Sequence, residues 1–220
     1  MAFANTHARA GLSTGPAPYD KQMSNKRGMY AKGTAKKAEI LDTALEIVAR
    51  NGYNRATVKE IADAVGLSQN GLLHYFGSKD ALFTEVVQRR GEIDDRDFGS
   101  ASPPSSEAEF VEGISRLVRH NTETPGFTQL YSRLSNDASQ SEHAGHHYFE
   151  EHYRISREAT AEAFRALQSQ GSLDSTLDAD KLAVLLWAVT DGLQTQWLFD
   201  PTMNMPEHVE YFLKLVGLAR

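Results

Sequence analysis

Four side chains between residues 69 and 74 have the types and the spacing to contact bases in a groove of DNA: Gln69, Asn70, Leu73 and His74. The apolar residues Leu72 and Phe76 lie four residues apart and would share a different face of the same helix. A side-chain amide can pair one donor and one acceptor with adenine in the major groove. Lys79 follows at the start of the next predicted helix, where its ammonium group is well placed for a phosphate. These residues predict a helix that contacts DNA.

Two short helices would have to hold these side chains in place. Thr57 and Glu60 have the spacing of a capping box, which satisfies unpaired backbone donors at a helix start. The residues that follow form one apolar face: Val58, Ile61 and Val65. Gly66 allows the chain to turn, and Ser68 can cap the second helix. The order predicts a helix-turn-helix.

The same pattern is also compatible with a purely structural element. Two short amphipathic helices joined by a glycine turn occur as plain helical hairpins. From this pattern alone, a DNA-binding motif and a structural hairpin are alternatives of equal weight.

The residues around the second helix resemble a family of regulators. The run Leu72–Leu82, which reads Leu-Leu-His-Tyr-Phe-Gly-Ser-Lys-Asp-Ala-Leu, closely resembles the end of the recognition helix in the TetR family of bacterial transcriptional repressors. The runs 40–44, 52–53 and 57–62 resemble the first two helices of that family, so the resemblance extends over about residues 34–87. One departure is Leu73, where the family more often has an aromatic residue.

This resemblance implies roles for the matched residues. Thr57, Lys59, Tyr75 and Lys79 would bind phosphates, Gln69 and Asn70 would reach base edges, and His74 would serve in either role. The predicted DNA-binding set comprises Thr57, Lys59, Ser68, Gln69, Asn70, Leu73, His74, Tyr75 and Lys79.

The resemblance also implies an all-α fold of about nine helices, in which a three-helix DNA-binding domain precedes a helical ligand-binding and dimerisation domain. We expect a flexible basic arm over residues 1–33, the DNA-binding domain over 34–80 and the helical domain over 81–220. In the family, the last two long helices pair with their copies from a second subunit as a four-helix bundle. Here these helices would be 179–199 and 206–219, with Gly192 allowing close approach. Their apolar stripes would equally suit an intramolecular core.

Charge is unevenly distributed along the 220 residues, whose formal net charge is −6. Residues 1–90 hold 13 Lys or Arg and 8 Asp or Glu, a balance of +5, whereas residues 91–220 hold 10 and 21, a balance of −11. The positive charge of residues 1–90 favours binding to phosphates. The negative charge of residues 91–220 would keep that part away from the DNA duplex. The absence of cysteine excludes disulfides, thiolate-bound zinc and a thiol nucleophile.

Hydrophobic periodicity predicts helices along the chain and no strand. Residues 1–33 lack such a period, and their basic residues Lys21, Lys26, Arg27 and Lys32 would either follow a minor groove or remain in a solvated tail. Helix 1 is predicted from Thr34 to Asn51. Later helices are predicted to open at Pro125 and Pro206, and a longer one to run over residues 146–170.

Aromatic residues recur on the helices of the acidic part and are candidates for lining a small-molecule pocket. The predicted ligand-binding residues are Phe110, Tyr131, Phe149, Tyr153 and Trp187. Each of them also suits an ordinary core or a dimer interface, and the pocket itself is implied by the family resemblance.

A histidine-rich segment offers a metal site as an alternative. It contains His143, His146, His147 and His152, with Glu150 and Glu151 nearby. Histidines four residues apart share a helix face, as metal ligands often do. A solvated, partly charged face explains the segment better, and we predict no metal and no other cofactor.

The resulting expectation is a homodimeric, ligand-responsive repressor on double-stranded DNA, with two recognition helices in successive major grooves, about 34 Å apart, of a palindromic operator. The alternatives are a regulator that senses a metal or a partner protein, and a helical enzyme. The sequence has no phosphate loop or dinucleotide fingerprint, so we expect no enzyme. With no secretory signal and no apolar run of membrane-spanning length, we expect a cytoplasmic protein without a membrane partner.

Overall fold

The structure, a computed structural model, describes the backbone of residues 18–52, 55–98 and 103–218, and the side chains from Lys32 onward except at residues 95, 97 and 98. These described residues form nine α-helices and no strand, which confirms the predicted all-α fold. The helices are α1 (Pro18–Asn51), α2 (Val58–Ala64), α3 (Gln69–Phe76), α4 (Lys79–Phe98), α5 (Glu107–Glu123), α6 (Pro125–Asp137), α7 (His146–Ser169), α8 (Ala179–Phe199) and α9 (Met205–Leu215).

The first helix begins 16 residues before its predicted start at Thr34, because α1 already opens at Pro18. The predicted flexible basic arm over residues 1–33 therefore overlaps α1 at residues 18–33, while residues 1–17 lie outside the described residues, and the arm stays a prediction. Proline is favoured at the first position of a helix, and the lysines, methionines and alanines that follow favour helix without an apolar period. A hydrophobic period shows only that one face of a helix is buried. Its absence from residues 18–33 therefore did not exclude a helix there. The end at Asn51 was predicted correctly, and Gly52 follows it with φ +73°.

The chain divides into two compact units between Ala38 and Glu39, and both hydrophobic cores lie in the second unit. The first core combines side chains from α1 to α4 with side chains from α6 and the start of α7. Its fully buried members include Ile40, Ile61, Leu72, Leu82 and Leu130. This core crosses residue 80, the predicted end of the DNA-binding domain, which falls in the first turn of α4. The predicted domain division stays a prediction.

Gly126 brings the start of α6 directly against the end of α1. A methyl group at this position would lie 2.5 Å from the Val48 carbonyl oxygen and 3.0 Å from the Gly52 Cα. Both distances are shorter than van der Waals contact, so only the hydrogen of glycine fits. The close approach joins a helix of the acidic part to the helix that supports the helix-turn-helix.

The second core lies between α5, α7, α8 and α9. Its fully buried side chains include Val118, Phe164, Met205 and Leu213. The predicted helix over residues 179–199 is confirmed as α8, and α7 ends one residue before the predicted Gln170.

The last helix is shorter than predicted, because α9 ends at Leu215 rather than at residue 219. Gly217 takes a φ of +95°, its amide donates to the Lys214 carbonyl at 3.0 Å, and the Leu218 amide donates to the Leu213 carbonyl at 2.9 Å. These two bonds form a Schellman ending, which the buried side chain of Leu218 completes. Glycine at this position is a typical end of a helix, but the apolar period of the preceding residues favoured a longer helix in the prediction.

Candidate nucleic-acid interface

The first helix of the predicted motif has one of the two hydrogen bonds of the predicted capping box. The Thr57 hydroxyl accepts a hydrogen bond from the Glu60 amide at 3.1 Å, and α2 starts at Val58. The Glu60 carboxylate accepts from the Asn51 side-chain amide at 2.5 Å, which ties α2 to the end of α1. Thr57 and Lys59 remain exposed, so both can meet a phosphate.

The second helix of the motif presents a polar face to solvent. The Ser68 hydroxyl accepts from the Gly71 amide at 3.0 Å and caps α3, while Leu72 and Phe76 are buried in the first core. The polar side chains of the predicted recognition face are exposed: Ser68, Gln69, Asn70 and His74. Leu73 and Tyr75 are half-buried and pack against the first core, so each has only part of its surface available to DNA.

Lys79 occupies the first turn of α4. The Ser78 hydroxyl accepts from the Ala81 amide at 3.0 Å and caps this helix. The Lys79 side chain is exposed, and its ammonium nitrogen lies 5.8 Å from the centre of the Phe83 ring. Because Phe83 is buried in the first core, this contact anchors the lysine at the surface.

An open depression of about 270 Å³ brings several of these residues together at the N-terminal ends of α2, α3 and α4. Its lining comprises Ala56, Thr57, Val58, Lys59, Gln69, Lys79 and Arg133. Three of the seven side chains are cationic and none is a carboxylate. The depression has the hydroxyl, amide and cationic groups that bind phosphate oxygens.

Arg133, on α6, was missed by the sequence interpretation. It forms a long ion pair with Asp137 at 3.7 Å, and both side chains are largely exposed. Spacing of four residues between opposite charges is typical of a solvated helix face, so the sequence carried no signal for a role at DNA. The position of Arg133 beside Thr57 and Lys79 depends on the tertiary packing of α6.

Four of the five predicted ligand-binding residues lie close together. The Tyr131 and Phe149 ring centres are 5.5 Å apart, and the His152 ring lies 5.9 Å from Tyr153 and 6.2 Å from Trp187. Phe110 is not among them, because it packs in the second core with its ring centre 5.1 Å from that of Phe164.

The histidines of the segment 143–152 point to separate partners. His143 Nδ1 accepts from the Gly145 amide, and His146 Nδ1 lies 2.8 Å from the Ala138 carbonyl oxygen. His147 is almost fully exposed near Glu150, and His152 lies among aromatic rings. Among the side chains that the structure describes, no group of three metal-ligating residues occurs. The metal-sensing alternative therefore has no support from their arrangement.

Two family models match the chain. The model of bacterial regulatory proteins of the tetR family matches residues 40–86, which contain the helix-turn-helix and the start of α4. The model of the C-terminal part of BetI-type transcriptional repressors matches residues 112–215, from α5 to the end of α9.

Curated relatives match over part of the chain. The transcriptional repressor Rv1474c of Mycobacterium tuberculosis is 43% identical over 54 residues, which are 24% of this chain and 29% of the relative. The repressor KstR2 of Rhodococcus jostii is 37% identical over 62 residues, 28% of this chain and 29% of the relative. The chain thus spans about three tenths of the length of these relatives.

Solved structures share the fold over most of the chain. A transcriptional regulator from Saccharomonospora viridis, solved in complex with choline, has a TM-score of 0.65 at 23% identity. The match covers 85% of this chain and 100% of that regulator. The fatty acid degradation regulator FadR from Bacillus halodurans has a TM-score of 0.62 at 18% identity, with coverages of 83% and 98%.

In the described part of this chain, no helix combines the length and apolar character needed to cross a membrane.

Proposed function

The chain belongs to the TetR family of bacterial regulatory proteins, and we propose that it is a homodimeric repressor that leaves a palindromic operator when a small molecule binds its C-terminal half. The observation that carries the proposal is the cationic depression beside the exposed polar face of α3. Gln69 belongs to both features, because it lines the depression and opens the recognition helix. A protein that docks on the backbone and inserts a helix into a groove needs this juxtaposition.

The direct test is a mobility-shift assay with the full chain. The probes are the DNA flanking its own gene and operators selected from a random duplex library. We expect a retarded complex with a sequence of two inverted half-sites. If no duplex is retained above non-specific binding, the proposed function is wrong.

Replacing Lys79 by glutamine should weaken binding to all operator sequences about equally and lower the slope of log affinity against log salt by about one. The physical reason is that one ammonium–phosphate contact, and the counterion that it releases, is lost. Mobility shifts at several salt concentrations measure the slope. An unchanged slope would exclude Lys79 from the docking surface.

Replacing Arg133 by glutamine should have the same kind of effect, with a slope lower by up to about one. The matched control is Arg116→Gln, which removes an exposed arginine of α5 that does not line the depression. We expect the control to retain the parental slope. If both variants behave alike, Arg133 contributes only to net charge and not to docking.

A dimer interface is supported by the outer faces of α8 and α9. Six large apolar side chains are exposed among the described residues, and five of them lie on these two helices: Val184, Leu185, Phe199, Tyr211 and Leu215. Leu185, Gly192 and Phe199 follow one another at intervals of seven residues and therefore share a face of α8. A methyl group at Gly192 would meet no atom within 4 Å, so the glycine faces open space where a partner helix can approach. Concentrated apolar exposure of this kind marks an interface.

The effector would bind near the aromatic residues of α6, α7 and α8. Tyr131 on α6 and Phe149 on α7 belong to the same core as the helix-turn-helix, so a ligand that parts them also acts on the packing of α1 and α4. The Saccharomonospora viridis regulator, which has a similar fold, was solved in complex with choline. This complex supports the proposal that a small molecule binds the present chain. Addition of the effector should reduce operator binding; tighter binding would indicate a co-repressor instead.

A further inference from the structure

We propose that the aromatic cluster beside Asp191 is a binding site for an organic cation. The cluster consists of Tyr131, Tyr148, Phe149, His152, Tyr153 and Trp187, where α6, α7 and α8 meet. The inference deepens the proposed function, on which it rests, by naming the chemical class of the effector.

The rings of the cluster are arranged around His152. Its ring centre lies 5.8 Å from that of Tyr131, 5.9 Å from that of Tyr148, 5.9 Å from that of Tyr153 and 6.2 Å from that of Trp187. Most of these contacts are edge to face, so neighbouring rings present their electron-rich faces in several directions. Such faces attract a cation, most strongly when the cation is shielded from water.

A half-buried carboxylate adjoins these rings. Asp191 follows Trp187 by four residues on α8, and its Oδ2 accepts a hydrogen bond from the Tyr153 hydroxyl at 2.8 Å. Burial raises the pKa of Asp191, and the hydrogen bond from Tyr153 opposes this effect. None of the described lysines and arginines forms an ion pair with Asp191, so the structure supplies no permanent cation to balance its charge. Buried carboxylates are ordinarily paired, and a cationic ligand would provide the partner.

A second polar group in the same place lacks a partner. The Tyr131 hydroxyl is buried close to the Tyr153 hydroxyl but makes no hydrogen bond of normal length and angle; Thr84 Oγ1 is the other such side-chain atom among the described residues. Burial, with additional effects of Tyr153 and Asp191, raises the pKa of Tyr131 well above its usual value. Its hydroxyl therefore stays protonated and can serve a polar group of a ligand. Unpaired buried polar atoms are uncommon in folded proteins, and a ligand would satisfy this one.

The aromatic rings and Asp191 together favour a positively charged ligand. An anion would be repelled by Asp191, and a neutral apolar ligand would cover the carboxylate without pairing it. A cation gains from the ring faces and the carboxylate together. The balance of −11 over residues 91–220 further favours approach of positively charged molecules.

The site is also connected to the proposed DNA interface through one helix. Tyr131 of the cluster and Arg133 of the cationic depression are two residues apart on α6 and project from different sides of it. A cation that displaces Tyr131 would shift Arg133 relative to Lys79 and Thr57. Binding of the cation and release of the operator would thus be coupled.

The experiment uses Trp187 as the reporter. Trp187 and Trp197 are the two tryptophans of the chain, so the full-length Trp197→Phe variant has Trp187 as its single fluorophore. The probes are benzyltrimethylammonium, benzylammonium and, as an uncharged molecule of similar shape, benzyl alcohol. We expect both cations to change the Trp187 emission with saturation and benzyl alcohol to bind at least about tenfold more weakly. If benzyl alcohol binds as tightly as the cations, the inference is wrong.

The decisive variant is Asp191→Asn, which preserves shape and removes the charge. It should weaken both cations by about tenfold or more and leave benzyl alcohol unaffected. Unchanged cation binding would overturn the inference. Should Asp191→Asn fail to fold, Tyr131→Phe provides a second arm, because it keeps the ring and removes only a hydroxyl without a partner. This variant should bind benzylammonium, which has N–H donors, more weakly than the parent does, and the loss should be smaller for benzyltrimethylammonium. If the variant binds both cations with the affinities of the parent, the proposed site is wrong.

Operator binding is measured separately, without any probe, and tests the proposed function alone. A chain that binds its operator but no cation refutes the cation site and leaves the repressor proposal intact. A chain that binds cations through Asp191 but no DNA refutes the repressor proposal and keeps the site.

Discussion

A single glutamate at position 185 should turn the proposed dimer into a monomer and weaken operator binding by about a hundredfold or more. Leu185 is 51% exposed on the outer face of α8, and the partner helix would bury it. In a two-fold symmetric interface every contact occurs twice, so Leu185→Glu places two carboxylates among apolar side chains. The monomer contacts one half-site and loses the effective concentration that the second half-site provides.

Ile155→Glu is the matched control for this substitution. Ile155 is 52% exposed, nearly the same as Leu185, but lies on α7. It should remain dimeric and bind the operator as the parent does. Sedimentation equilibrium measures the mass, and a mobility shift measures the affinity. A Leu185→Glu protein that sediments as a dimer and binds with parental affinity would show that α8 does not form the interface.

Local hydrogen bonding made the ends of the DNA-binding helices predictable from sequence. The hydroxyls of Thr57, Ser68 and Ser78 accept the backbone bonds expected of helix caps, each from an amide three residues later. Such bonds depend only on neighbouring residues, so residue type and spacing are sufficient to recognise them. The same reasoning places Leu72 and Phe76 in the core and leaves Gln69 and Asn70 exposed.

The groups that complete the two candidate sites were not predictable in this way. Arg133 reaches the cationic depression because α6 packs on α4 near the start of α2, and Asp191 meets Tyr153 because α8 packs on α7. In the sequence, each appears as an ordinary charged residue on a helix, with no local pattern that distinguishes it. Their importance arises from contacts between segments 38 to 76 residues apart, counted from Tyr153 to Asp191 and from Thr57 to Arg133. Helical periodicity cannot specify such contacts.

The replacement Gly126→Ala should lower the free energy of unfolding by about 2 kcal/mol or more. The added methyl group would lie 2.5 Å from the Val48 carbonyl oxygen, and backbone atoms cannot move aside as a flexible side chain can. The same carbonyl accepts the Gly52 amide at 3.0 Å, so any displacement also disturbs the end of α1. The corresponding fall in melting temperature, followed by circular dichroism, is about 4–8 °C for a chain of this size.

Gly113→Ala separates this steric effect from the general preference of helices for alanine. Gly113 lies within α5, and a methyl group there would meet no atom within 4 Å. The control should therefore gain up to about 1 kcal/mol, opposite in sign to the change at position 126. If Gly126→Ala is as stable as Gly113→Ala, α6 does not approach α1 as closely as the structure shows. The aromatic residues of α6 would then act on the helix-turn-helix through Arg133 and α4 and not through the end of α1.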